Sequence, residues 1–199
     1  MNAILLGSRS DIGLEIAKRL KGDGWTVWGW DRGQPVKMLP PWDLIICAIG
    51  SIKPIGKFFD LGFGDWKQGF EANVFEPLRL VYELYPTRNE NSAIIFFGGT
   101  NPYKSNAYYS SYAASKAALR MATRDIAAEY EDLKVVMLDT GFVQTKIHKA
   151  TIESGVPNER LERGGGTTHD QIYTVVKKII RADIRRVSGH PFFVPNCCK

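Results

Sequence analysis

A doubly wound α/β fold built on a parallel sheet is predicted by three features of the 199-residue chain. Apolar runs alternate with amphipathic segments from one end to the other, the order that arises when each strand is followed by a crossover helix. Several of those runs lack a polar face, as strands do when helices cover both sides of their sheet. The first run leads straight into "GSRSDIG" (Gly7–Gly13), a glycine-bearing turn from strand to helix. No repeat or low-complexity linker interrupts the pattern, so residues 1–199 are expected to form a single domain.

Taken in order, strands are predicted at residues 2–7, 25–30, 43–49, 92–98, 133–139 and 190–194. Helical spacing marks the segments between them. Ile12, Ile16 and Leu20 define a helix over 11–22. Phe70, Val74, Leu78 and Val81 define one over 64–85, which Pro77 should bend. Leu119, Ala122, Ile126 and Tyr130 mark a helix over 109–130, and Ile172, Val176, Ile179 and Ile180 mark the last. Residues 32–42, "RGQPVKMLPPW", break the rhythm: they carry three prolines and fall short of the dozen or so residues that a parallel crossover needs. The region after the second strand is therefore truncated, a loop with a short edge strand expected at "VKML".

With 44% hydrophobic and 24% charged residues the composition is that of a soluble globular protein. No apolar run reaches the roughly 18 residues of a membrane span. The first strand begins almost at Met1, leaving no room for a leader, so a cytoplasmic location is expected. The three cysteines (Cys47, Cys197, Cys198) offer no disulfide framework, and the three dispersed histidines (His148, His169, His190) offer no metal site. The formal charge is +5, densest in "KKIIRADIRR" (Lys177–Arg186). An apolar stripe beneath those charges reads as the solvated face of a helix rather than a nucleic-acid patch.

Two constellations can carry chemistry. In the first, Gly7 makes the tight turn, Gly13 lets the helix pack closely, and first-turn N–H groups face whatever lies above the loop. Asp31 closes the second strand, where a carboxylate can accept both ribose hydroxyls of an adenosine. In the second, "SSYAASKAAL" places Tyr112 and Lys116 four apart on one helix face. An ammonium beside a phenol favours the phenolate, which suits a tyrosine that exchanges protons near neutral pH.

With these residues in view, the chain resembles the short-chain dehydrogenase/reductase family, and does so nearly end to end. "LLGSRSDIG" is similar to the family's glycine loop. "DLIICAIG" matches the strand that usually ends Asn-Asn-Ala-Gly and here ends Cys47-Ala48-Ile49-Gly50. "WKQGFEANVFEPL" carries the helix asparagine as Asn73, and "YAASK" is the Tyr-x-x-x-Lys motif. "LDTGFVQT" matches Pro-Gly-x-Val-x-Thr with Thr140 in place of the proline, and "VSGHPFFVP" is similar to the closing strand.

The resemblance implies a Rossmann-type fold and an NAD- or NADP-dependent enzyme that interconverts a carbonyl and a secondary alcohol. It makes Tyr112 the proton donor or acceptor, with Lys116 holding the nicotinamide ribose and Asn73 positioning a water that links Lys116 to solvent. It places cofactor contacts at Gly7, Arg9, Asp11, Ile12, Gly13, Asp31, Arg32, Ala48, Ile49, Gly50, Gly141, Val143 and Thr145, beside Tyr112 and Lys116. It also implies a homodimer or homotetramer through the helices at 64–85 and 109–130, whose Ala113, Ala114, Ala117 and Ala118 allow close approach.

The departures from the family pattern carry information. An ungapped match puts Gly99 where the family has its catalytic serine, so Thr100 is expected to take that role. The lost asparagines loosen the strand end at Cys47–Gly50. A non-catalytic dinucleotide sensor of the same fold is the alternative these losses suggest. Asp31 repels a 2′-phosphate and so favours NAD, whereas Arg9 and Arg32 could grip one and admit NADP. After Thr145, Lys146, His148 and Lys149 are expected in a short solvated lid. Asp11 occupies the middle glycine position of the loop and is expected to cap its own helix.

Overall fold

The computed structural model describes residues 1–99, 105–158 and 166–194. Its strands are β1 (Asn2–Leu6), β2 (Thr26–Trp30), β3 (Trp42–Cys47), β4 (Arg88–Phe97), β5 (Lys134–Asp139) and β6 (Pro191–Phe193). Its helices are α1 (Asp11–Gly22), α2 (Phe63–Phe70), α3 (Glu76–Leu84), α4 (Ser110–Glu129), α5 (Lys146–Glu153) and α6 (His169–Arg181), with a short turn at Ile184–Val187. All strand pairs are parallel, in the order β2-β1-β3-β4-β5-β6. The chain steps outward from β1 to β2 and then returns to β3 on the other side of β1. Winding therefore reverses between β1 and β3, and ligands of open α/β sheets bind in the crevice above such a reversal.

Side-chain alternation builds the two layers. Ala3 and Leu5 join Ile16 and Leu20 of α1 and Ile172, Val176 and Ile179 of α6 in one cluster. Ile4 and Leu6, pointing the other way, join Leu80 and Leu84 of α3 and Leu119 of α4 in the second. Among the described residues, no helix is long and apolar enough to cross a membrane.

The truncated region folds differently from the expectation. "VKML" is not an edge strand: Val36–Met38 forms a single 3₁₀ turn. Gln34 N donates to Asp31 O at 3.2 Å, and the Trp30 indole donates to Gln34 O at 2.8 Å, so the link tucks back under the end of β2. Prolines at 35, 40 and 41 remove donors that a ladder would require. β4 also begins earlier than its apolar residues suggest, with Arg88 paired to Trp42 before a register shift to Leu44 and Ala93. Asn91 absorbs the shift at φ +56°, a conformation asparagine tolerates better than most residues.

The helix expected over 64–85 is three pieces. α2 ends at Phe70, a π turn occupies Glu71–Phe75, and α3 starts at Glu76. Pro77 has no N–H to return to the carbonyl of Asn73 four residues back, so an unbroken α ladder cannot run through this point. Instead Glu76 N donates to Glu71 O, five residues back. At the far side of the sheet, Lys134 is buried at the start of β5. Its ammonium donates to the carbonyls of Ile179, Ile180 and Ala182 at 2.7–3.0 Å, capping the C-terminus of α6 with a positive charge.

Candidate active site

The C-terminal ends of β1, β3, β4 and β5 surround a cavity of about 330 Å³, within the size range of small-molecule sites. The glycine loop forms one wall. Gly7 adopts φ +83°, and a Cβ there would meet the Ala48 carbonyl oxygen at 2.8 Å and Ile49 N at 3.2 Å. Only a glycine lets the β1 and β3 turns approach this closely. That contact supplies packing at the strand end where both family asparagines are missing, while Ala48 N donates to Leu6 O at 2.8 Å.

The cap of α1 is Ser10 and not Asp11. Ser10 has extended dihedrals (φ −71°, ψ 154°), and its hydroxyl accepts from Gly13 N at 3.0 Å. Asp11 is one residue too late for that role, because it already belongs to the helix. Its carboxylate crosses the cavity mouth and accepts from Lys146 N at 2.7 Å, with Lys146 Nζ 3.5 Å away. Thr145, the N-cap of α5, makes no side-chain capping bond. Asp11 thus caps a helix 135 residues away, and that helix stands where a solvated loop was expected. Asp11→Ala should accelerate amide exchange over residues 146–149 about fivefold, equivalent to the roughly 1 kcal/mol of a lost cap. Unchanged exchange would show that the contact fastens nothing.

At the end of β2, Asp31 accepts from Ser8 Oγ at 2.7 Å and from Arg9 N at 3.2 Å. The Arg9 guanidinium lies 3.1 Å from the same carboxylate, so acid and base are paired here rather than acting separately. Arg32 is exposed in the turn that follows.

The other wall comes from α4 and the β4 end. Ala48, Ile49, Gly50, Tyr112, Lys116, Gly141, Val143 and Thr145 all line the cavity together with Asp11 and Ile12. Lys116 is buried, and its ammonium donates to Phe97 O at 2.8 Å while lying 6.0 Å from the centre of the Tyr112 ring. Burial pulls the Lys116 ammonium down to about 8, against the opposing pull of Cys47 and Asp139.

Asn73 is fully buried on the π turn, a helix irregularity that recurs at functional sites. Its amide donates to Ser51 O at 2.8 Å and Ser115 Oγ at 3.0 Å, and its oxygen accepts from Ser51 N at 2.7 Å. A Cβ on Gly50 would lie 2.9 Å from Asn73 Oδ1 and 3.5 Å from Lys116 Nζ, so Gly50 occupies the narrow gap between them. Ser51 and Ser115, which fix Asn73, were not singled out in the sequence. Their signal is slight, since one is a loop serine and the other fills an unspecified place in the Tyr-x-x-x-Lys motif.

Gly99 lies against the tyrosine. A Cβ there would sit 3.0 Å from Tyr112 Oη and 3.2 Å from Lys116 Cγ. Position 99 therefore brings no hydroxyl to the site. Thr100, expected to replace the serine, lies outside the described residues. Beyond Tyr112 the cavity is bounded by Asn106, Tyr109, Phe142, His148 and Asn158, with the His148 ring edge-on to Phe142.

A parallel sheet with a glycine turn at its reversal and a tyrosine–lysine pair in the open crevice above defines a Rossmann-type protein. Residues 33–154 match the short chain dehydrogenase family, and the chain belongs to that family. It is 25% identical over 152 residues to an uncharacterised oxidoreductase of Schizosaccharomyces pombe, covering 76% of this chain and 60% of that protein's length. Among solved structures, a small-chain dehydrogenase in complex with NADPH superposes with a TM-score of 0.84 at 21% identity, covering 98% of this chain and 96% of the other. The ligand-free aldohexose dehydrogenase of Thermoplasma acidophilum superposes with a TM-score of 0.82 at 18% identity, covering 97% and 91%. The fold is thus shared where few residues are.

Proposed function

We propose that this short chain dehydrogenase interconverts a carbonyl and a secondary alcohol, with NAD favoured over NADP and Tyr112 exchanging the proton. The observation that carries the reading is the meeting of Tyr112, Lys116 and the glycine loop in one cavity. The first turn of α1 suits a pyrophosphate, because helix N-terminal N–H groups attract anions. Asp31, held by Ser8 Oγ and Arg9 N, suits a ribose diol and opposes a 2′-phosphate, although Arg9 tempers that opposition. A bound nicotinamide supplies or accepts hydride. The protein's part is to orient the reactants, to shelter them from water, and to pass a proton through the Tyr112 hydroxyl. Lys116 stabilises the phenolate that remains and holds the adjoining ribose.

A binding protein without turnover is the second reading, and Gly99 is the observation that favours it. Titrating the protein with NADH and with NADPH by fluorescence, then offering ketones and secondary alcohols with each cofactor, separates the two. NADH binding more tightly than NADPH, together with cofactor oxidation on adding a ketone, is the expected result. Tight binding with no turnover on any substrate would favour the second reading, and no binding of either cofactor would refute both.

A further inference from the structure

We infer that the ion pair of half-buried Arg120 with buried Asp139 is a positioning device that sets the orientation and the charge of the Lys116 ammonium. Asp139 ends the apolar strand "VVMLD" and is 2% exposed. Its Oδ2 accepts from Arg120 at 2.5 Å. An ionised carboxylate is seldom buried without a reason, and well-packed apolar residues in place of such a pair are often neutral or more stable. Stability alone therefore accounts poorly for the pair.

Its placement supplies another account. Arg120 stands one helical turn after Lys116 on α4, so the two cations share a face. Lys116 donates to Phe97 O at 2.8 Å, and the next residue, Gly98, abuts the other side of the pair. A Cβ on Gly98 would overlap Asp139 Oδ1 outright and lie 2.9 Å from Asp139 Cγ. Gly98 N donates to Leu138 O at 2.9 Å, which ties the end of β4 to β5 at the same level. The pair thus reaches Lys116 by two routes, along α4 through Arg120 and through Gly98 to the Phe97 carbonyl.

The charge follows from what surrounds Lys116. β3 presents Cys47, β4 the Phe97 carbonyl, β5 Asp139, α4 Tyr112 and Arg120, and the π turn the uncharged Asn73. Burial pushes the Cys47 thiol up to about 11, so it is neutral in the working range. Burial also raises the Asp139 carboxyl, while the Arg120 hydrogen bond and charge, with Lys116, pull it back. Of the two groups that oppose the desolvation of Lys116, Cys47 and then Asp139, the carboxylate of Asp139 is the one that carries charge while the thiol stays protonated. Asp139 Oδ1 has no hydrogen-bond partner among them, so that oxygen acts through space. A lysine lowered by burial sheds its proton as pH rises through its pKa. Removing the carboxylate moves that loss to lower pH.

The kinetic half of the test rests on the proposed role of Lys116, and the titration half does not. The variants are Asp139→Asn, the neutral double variant Arg120→Met/Asp139→Leu, and the charge-conserving Arg120→Lys. Lys116 is followed in the protein alone by ¹³C-lysine NMR across pH, its signal assigned with Lys116→Gln, and folding is checked by thermal melting. Asp139→Asn should lower the Lys116 midpoint by about one pH unit, tenfold in the ammonium-to-amine ratio. The double variant should lower it by less because the Arg120 cation goes too, and Arg120→Lys should stay near the parent. The basic limb of kcat should move with the midpoint. An unmoved midpoint in either folded neutral variant overturns the inference, as does failure of both to fold while Arg120→Lys folds. A moved midpoint with an unmoved limb upholds the pair's action and instead refutes the role of Lys116 in turnover.

Discussion

Tyr112→Phe should lower kcat by about 10²- to 10⁴-fold, the range associated with losing a positioned general acid or base. NADH affinity should stay within about twofold, because Tyr112 is one of many expected cofactor contacts and its ring survives the substitution. The geometry makes this a clean test. A methyl on Gly99 would come within 3.0 Å of the hydroxyl, and the substitution removes one oxygen while keeping the ring. Position 99 also offers no second donor to compensate, which places the loss toward the upper end of the range. Single-turnover measurement of NADH oxidation with an accepted ketone, alongside a fluorescence titration, separates chemistry from binding. Equal turnover in the parent and the variant would remove Tyr112 from the proton-transfer step.

The sheet and most of its helices were legible because burial on two faces leaves an unmistakable mark. "AILL", "DLIIC" and "VVML" admit no polar face, and the segments between them repeat at helical spacing. The Tyr112–Lys116 pair and the glycine loop were legible because their spacing is local. What escaped depends on partners distant in sequence. Asp11 was read as a cap for its own helix, since nothing nearby indicated that Lys146, across the cavity mouth, would present a bare helix N-terminus to it. The polar start of β4 was missed because Arg88, which pairs with Trp42, and Asn89 are only half-buried and carry no apolar mark. The π turn around Asn73 left a faint signal in Pro77, which was read as a bend. The Arg120–Asp139 pair left a clearer one. An acid closing an apolar strand needs a cation, and the next position on the Lys116 face supplies it.

The same pair makes Gly98 costly to replace. Gly98→Ala should destabilise the protein by about 3 kcal/mol, the upper end of what overpacking costs, and lower Tm by roughly 6–12 °C for a chain of this length. The added methyl would overlap Asp139 Oδ1 and approach Met137 Cγ to 3.1 Å. Neither neighbour has room to withdraw. Met137 is in the core, and Asp139 is held at 2.5 Å by Arg120. Relief therefore requires β4 to part from β5 or the ion pair to break, and a broken buried pair leaves an uncompensated charge that is itself costly. Either adjustment shifts the Phe97 carbonyl that receives Lys116, so turnover should fall together with stability. Gly22→Ala is the matched control, because a Cβ there meets nothing within 4 Å, and relief from glycine in a helix is worth at most about 1 kcal/mol. Melting of both variants by circular dichroism decides the matter. A Gly98→Ala protein that melts within about 2 °C of the parent would mean that the Asp139 carboxylate is free to move, and with it the cation it is held to steady.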